Sequence, residues 1–184
     1  MKRHLLFISL LLMCLGLSAQ EPTQTEETEK IYAWPTDWLG TWQGSMKVRS
    51  VSSDKVQLYP MKLEVAETDT AGKWAWTLTY GEGEKADVRP YILIAQDSTH
   101  SHFIIDEKNS ILLDQYLVGN HFISRFEVNG NLLIMDVRHE GDYLVSQITH
   151  GSMKDPRKSG DGLDDIEVSS YAIRGIQEAV LYRK

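Results

Sequence analysis

Trp74, Trp76 and Tyr80 fall at even spacing within one short stretch. With Tyr91, Phe122 and Arg125 they are the side chains best suited to hold a small apolar or amphipathic molecule. Aromatic faces supply contact area, and a guanidinium fork such as that of Arg125 can meet a ligand carboxylate through two parallel hydrogen bonds. Trp34, Trp38, Trp42 and Tyr59 belong to the same aromatic set. The competing expectation is that these rings only fill a core. Arg125 also has a plainer use, a cross-strand ion pair with Asp136 on a solvated face, which is worth little.

Other constellations offer less. No Gly-x-Ser-x-Gly elbow is present, so a hydrolase triad has no nucleophile turn. Gly81-x-Gly83 reads as a hairpin turn, because no helix follows it to cradle a phosphate. His100 and His102 share a face, and His121, His139 and His150 stand near later strand ends. Zinc or haem could use two of them, but no cysteine accompanies them and no spacing selects one. Asp161, Asp164, Asp165 and Glu167 offer hard oxygens without the spacing of a calcium loop, and Arg157 and Lys158 sit beside them. The expectation is therefore no catalytic residue, no metal and no cofactor.

The elements that must position the aromatic set have a period of two. Trp42, Gly44, Met46 and Val48 share one face of a first strand; Tyr59, Met61, Leu63 and Val65 share one face of a second. Trp74, Trp76, Leu78 and Tyr80 point inward from a third, and a fourth runs from about Ala86 to Gln96. Further segments run through 103–106, 111–118, 121–128, 132–139, 143–150 and 171–182. The last could be argued as a helix, but Gly175 and its aromatic ends favour strand. Gly81-Glu82-Gly83, Asp97-Ser98, Asn109-Ser110, Gly119-Asn120, Asn129-Gly130 and Gly141-Asp142 punctuate the series, Asn129-Gly130 being the clearest hairpin signal. A meander of this length exposes two sticky edges unless it closes, so the expected fold is all-β, a single antiparallel up-and-down barrel of about eight to ten strands. Two stacked sheets are the alternative. Met153 to about Glu167 reads as a long irregular loop, kept so by Pro156, Gly160 and Gly162.

The N-terminal segment bears on compartment. Lys2, Arg3 and His4 precede an apolar run from Leu5 to Leu17, and Ser18-Ala19-Gln20 offers a small residue at the cut. Residues 1–19 thus read as a signal peptide, too short for a comfortable membrane span. A lipid anchor on Cys14 would have Met13 before it, a poor match. Residues 20–33 read as a flexible leader and 34–184 as the barrel domain, with order beginning near Tyr32 and Asp37 capping a short turn into Trp38. Cleavage would remove Cys14, the only cysteine, leaving no disulfide. The expected location is periplasmic or extracellular. The formal net charge of −7 becomes two units more negative without Lys2 and Arg3, which argues against nucleic acid or an anionic membrane surface as partner.

Gly40-Thr41-Trp42-x-Gly44, opening the first strand, resembles the entry motif of lipocalins and the wider calycin superfamily. That resemblance implies a barrel whose floor is closed by Trp42, with Arg183 or Lys184 packed across the indole. The likeness is closest over about seven residues around Trp38–Gly44 and architectural over 38–184; the later lipocalin motifs and a C-terminal helix are not evident. Arg89-Pro90-Tyr91, with the run from Ile105 to Ile111, is also similar to uncharacterised secreted lipocalin-like proteins of Gram-negative bacteria. The functional expectation is an exported, non-enzymatic barrel that binds a small apolar or amphipathic ligand. One alternative is an envelope protein–protein interaction module using the acidic surface or the 153–167 segment. The other is an enzyme in the barrel mouth, which would need an inward carboxylate or histidine beside an inward Arg or Tyr.

Overall fold

The computed structural model describes residues 28–160 and 166–184. Ile31–Lys184 form one compact unit, and residues 28–30 before it are without regular structure. The proposed signal peptide and most of the leader lie outside the described residues, as do Asp161, Asp164 and Asp165.

Ten antiparallel strands close into a barrel: β1 (Gly40–Ser50), β2 (Ser53–Glu67), β3 (Lys73–Tyr80), β4 (Asp87–Ala95), β5 (His102–Asp106), β6 (Leu112–Val118), β7 (His121–Val128), β8 (Asn131–His139), β9 (Tyr143–Ser159) and β10 (Val168–Arg183). Each strand pairs with its sequence neighbours, and β1 pairs with β10 to complete the ring. Closure removes the free edges that a ten-strand meander would carry. Alternation sets the faces. Trp74, Trp76 and Leu78 of β3 are buried, while Ala75 and Thr77 between them are only half-buried. In β7, Phe122 and Ser124 point in, and Arg125 points out.

The turns fall where Gly and Asn relieve the backbone. Between Val128 and Asn131, which face each other in the ladder, Asn129 and Gly130 both adopt positive φ, 51° and 75°. That pair matches the two-residue hairpin whose twist suits antiparallel strands. At the β1–β10 seam the backbones approach closely: a Cβ at Gly44 would lie 2.0 Å from the carbonyl oxygen of Val180.

Residues 153–167 correct the sequence reading. β9 runs through to Ser159, so Met153–Ser159 of the expected loop belong to a strand, and Arg157–Ser159 pair with Val168–Ser170 of β10. The irregularity is local. Between the pairs Ser152↔Ala172 and Arg157↔Ser170, β9 inserts Met153–Pro156 opposite Tyr171 alone, with Asp155 at φ 52°. A bulge is where a strand tolerates proline, which has no N–H for the ladder.

Candidate functional site

The two ends of the barrel interior differ. At one end the chain entering β1 folds across the opening. Trp34 to Trp38 form a turn, with Asp37 N–H bonded to the Ala33 carbonyl at 2.9 Å. The Asp37 carboxylate reaches back to accept from the Ala33 N–H at 2.7 Å, closing the turn from behind instead of capping it from the front. Trp38 and Trp42 are fully buried, and the Trp42 Nε1–H donates to the Trp38 carbonyl at 2.9 Å. Trp34 meets Trp74, Phe103 and Phe122 edge-on at 5.1, 5.6 and 4.9 Å, and Trp76 meets Phe122 at 5.4 Å. Edge-to-face contacts of this kind are each worth about 0.5–1.5 kcal/mol beyond area burial.

Two cationic or hydrogen-bonding side chains tie this plug to the wall. Arg183 donates through Nη1 to the Leu39 carbonyl at 2.9 Å and through Nη2 to the Asp37 carbonyl, and its guanidinium lies 4.3 Å from the Trp42 ring centroid. His139, on β8, accepts from the Gly141 N–H at Nδ1 and so presents Nε2–H to the Asp37 carbonyl at 3.1 Å. Tyr32 stacks on the His139 ring at 4.1 Å, and its N–H donates to Asn120 Oδ1.

The other end is open and holds a cavity of about 760 Å³. Leu78, Ile105, Leu113, Phe126, Leu133 and Met135 supply much of its apolar wall. One side of the mouth is polar. Asp87, Arg89 and Tyr91 project inward from alternate positions of β4, and Tyr80 stands opposite Asp87 on β3. Arg89 donates from Nε and Nη2 to the same Asp87 oxygen, at 2.9 and 2.7 Å, and its guanidinium lies 4.9 Å from the Tyr80 ring centroid. Burial pushes the Tyr80 phenol above its ordinary range, against the lowering influence of Arg89. Burial and then Glu107 do the same to Tyr91. The hydrogen bond with Asp87 holds Arg89 all the more firmly charged.

The expected ligand residues therefore separate. Tyr80 and Tyr91 line the cavity. Trp74, Trp76 and Phe122 are buried in the plug at the sealed end. Arg125 lies exposed on the outer face opposite Ile134, and Asp136 meets His121 and Arg138 instead. The interior guanidinium is Arg89, which the sequence reading missed as a site residue. Its signal was positional: Asp87, Arg89, Tyr91 and Leu93 share one face. Apolar Val88, Ile92 and Ile94 on the other face obscured which side was inside.

The histidines disperse. His102 and His121 pair with Asp114 and Asp136 at 2.8 and 3.0 Å, and His139 belongs to the plug. Among the described residues no three His, Cys, Asp or Glu side chains gather as a metal site would need. Gln115 is fully buried beside Phe103 in the β5–β6 ladder, and neither atom of its amide finds a hydrogen-bond partner among the described residues.

No family model matches this chain, and no curated protein matches it either. Among solved structures it is similar to a protein of unknown function from the DUF3598 family of Nostoc punctiforme PCC 73102, at 12% identity and a TM-score of 0.59. The match covers 84% of this chain and 51% of that one, so this chain spans about half the length of its neighbour. At that identity the likeness speaks to the fold alone.

Proposed function

We propose that the protein carries or senses a small, mostly apolar molecule in the open half of a lipocalin-like barrel, without transforming it, and that it works after export. The observation that carries this reading is the cavity of about 760 Å³ opposite a sealed floor. That volume falls within the range of ligand pockets, about 300–1,000 Å³. The Gly40-Thr41-Trp42 entry with Arg183 across the indole supports the lipocalin-like part. The basic, apolar and small-residue order of residues 1–19 supports export.

A catalytic reading draws on the same mouth, where carboxylates stand beside an inward Arg and two Tyr. The raised phenols keep their protons and so serve as hydrogen-bond donors, not bases, near neutral pH. Recognition is the better use of that group.

The test is titration of the mature protein with N-phenyl-1-naphthylamine, a neutral apolar fluorophore. Saturable, one-to-one enhancement is expected, and the Leu113→Trp, Met135→Trp double variant, which puts two indoles into the apolar wall, should weaken it markedly. Enhancement that never saturates, or an affinity that the double variant leaves unchanged, would refute the cavity as the site. N-terminal sequencing of protein recovered from outside the cytoplasm checks the cut after Ala19.

A further inference from the structure

The charged side chains that line the cavity are three acids, Asp87, Glu107 and Glu127, and one base, Arg89. The base is already engaged, since two of its N–H groups donate to one Asp87 oxygen. Glu107 accepts a hydrogen bond from Asn109 Nδ2 at 3.2 Å and has no cationic partner among the described residues. An anionic head group would find Arg89 already neutralised by Asp87, could use only the N–H groups that Asp87 leaves open, and would face Glu107 as it did so. A cationic head group gains Glu107 and leaves the Arg89–Asp87 pair intact. The rings of Tyr59, Tyr91 and Phe126 flank the same opening, and aromatic faces attract cations.

From this arrangement we infer that the mouth selects an amphiphile with a positively charged nitrogen head group, its apolar body lying along Leu78, Ile105, Leu113 and Met135. The inference rests on the cavity-binding reading above and adds the sign of the ligand's charge. A carboxylate bound to the interior guanidinium, the role first expected of Arg125, is thereby replaced by its electrostatic opposite.

Three probes with the same twelve-carbon chain test it, each kept below its micelle concentration: dodecyltrimethylammonium, 1-dodecanol and dodecanoate. Each competes with N-phenyl-1-naphthylamine on the full mature protein at low salt. Dodecyltrimethylammonium should bind at least ~10-fold more tightly than dodecanoate, a ratio that shrinks as salt screens the mouth. Glu107→Gln should reduce that ratio about threefold or more while leaving dodecanol unchanged, which shows that the variant is folded and the cavity intact. Equal or tighter binding of dodecanoate, or a ratio unmoved by Glu107→Gln, would overturn the charge preference and leave the cavity reading standing. Failure of all three probes would overturn both.

Discussion

Arg183 covers the buried face of Trp42 at 4.3 Å and, from the same guanidinium, holds the carbonyls of Leu39 and Asp37. One side chain thus joins the last strand, the first strand and the segment that crosses the barrel floor. The planar fork makes this possible, because it can stack on a ring and donate sideways at once.

Lysine keeps the charge at position 183 but not the fork. Arg183→Lys should cost about 1–2 kcal/mol, through loss of one charge-assisted hydrogen bond and the flat contact with Trp42. Urea unfolding followed by tryptophan fluorescence reads this directly. An unchanged midpoint would mean that the stacked guanidinium contributes nothing to sealing the floor.

At Gly44 the constraint is steric. A methyl there would sit 2.0 Å from the Val180 carbonyl oxygen, and that neighbour is backbone, which cannot swing aside. Gly44→Ala should therefore lower stability by about 1–3 kcal/mol or prevent closure of the β1–β10 seam. Thermal unfolding monitored by circular dichroism is the check, and an unchanged Tm would mean that the seam has room for a methyl.

Gln115 should respond in the opposite direction. Its buried amide has no hydrogen-bond partner among the described residues. Gln115→Leu, similar in volume, should leave stability unchanged or raise it by about 1–3 kcal/mol, because the desolvation cost of the amide disappears. A marked loss in chemical denaturation would show that the amide is bonded in solution.

Alkali should act through the mouth. Tyr80 and Tyr91 both lie above the ordinary phenol value of 10.0, chiefly through burial. Below that value both phenols are protonated in the folded and the unfolded chain, and the barrel has its full stability. Above it the unfolded chain ionises first, so stability is lost as pH rises through the raised folded values. Absorbance at the phenolate band should show two tyrosines titrating late, and Tyr80→Phe should remove one of them. Simultaneous titration of every tyrosine at the ordinary value would contradict this.

The strands and most turns were legible because alternation and Gly/Asn punctuation are local signals. Asn129-Gly130 announces its hairpin without help from any distant residue. The distribution of aromatic side chains along the barrel axis was not legible. Trp76 and Tyr80 share the inward face of one strand, yet Trp76 is packed in the plug and Tyr80 lines the mouth. Parity assigns a side chain to a face, but height depends on the stagger between strands and on where Trp34 and Trp38 fold over the end. Arg125 and Arg89 exchanged roles for a related reason: both strands carry apolar residues on both faces, so neither face was marked as interior. The ribbon at the end of β9 was hidden by Pro156, whose usual meaning as a strand breaker fails at a bulge.

The pairing of β1 with β10 has a further consequence for biogenesis. Every other seam joins consecutive strands and can form between neighbours, whereas this one must bring Trp42 to Arg183 across the length of the barrel sequence. Until then the growing sheet carries two bare margins, the state most exposed to mispairing with a second copy. A truncation after Ile176 would leave nine strands largely intact and still deprive them of most of the residues that join the ring.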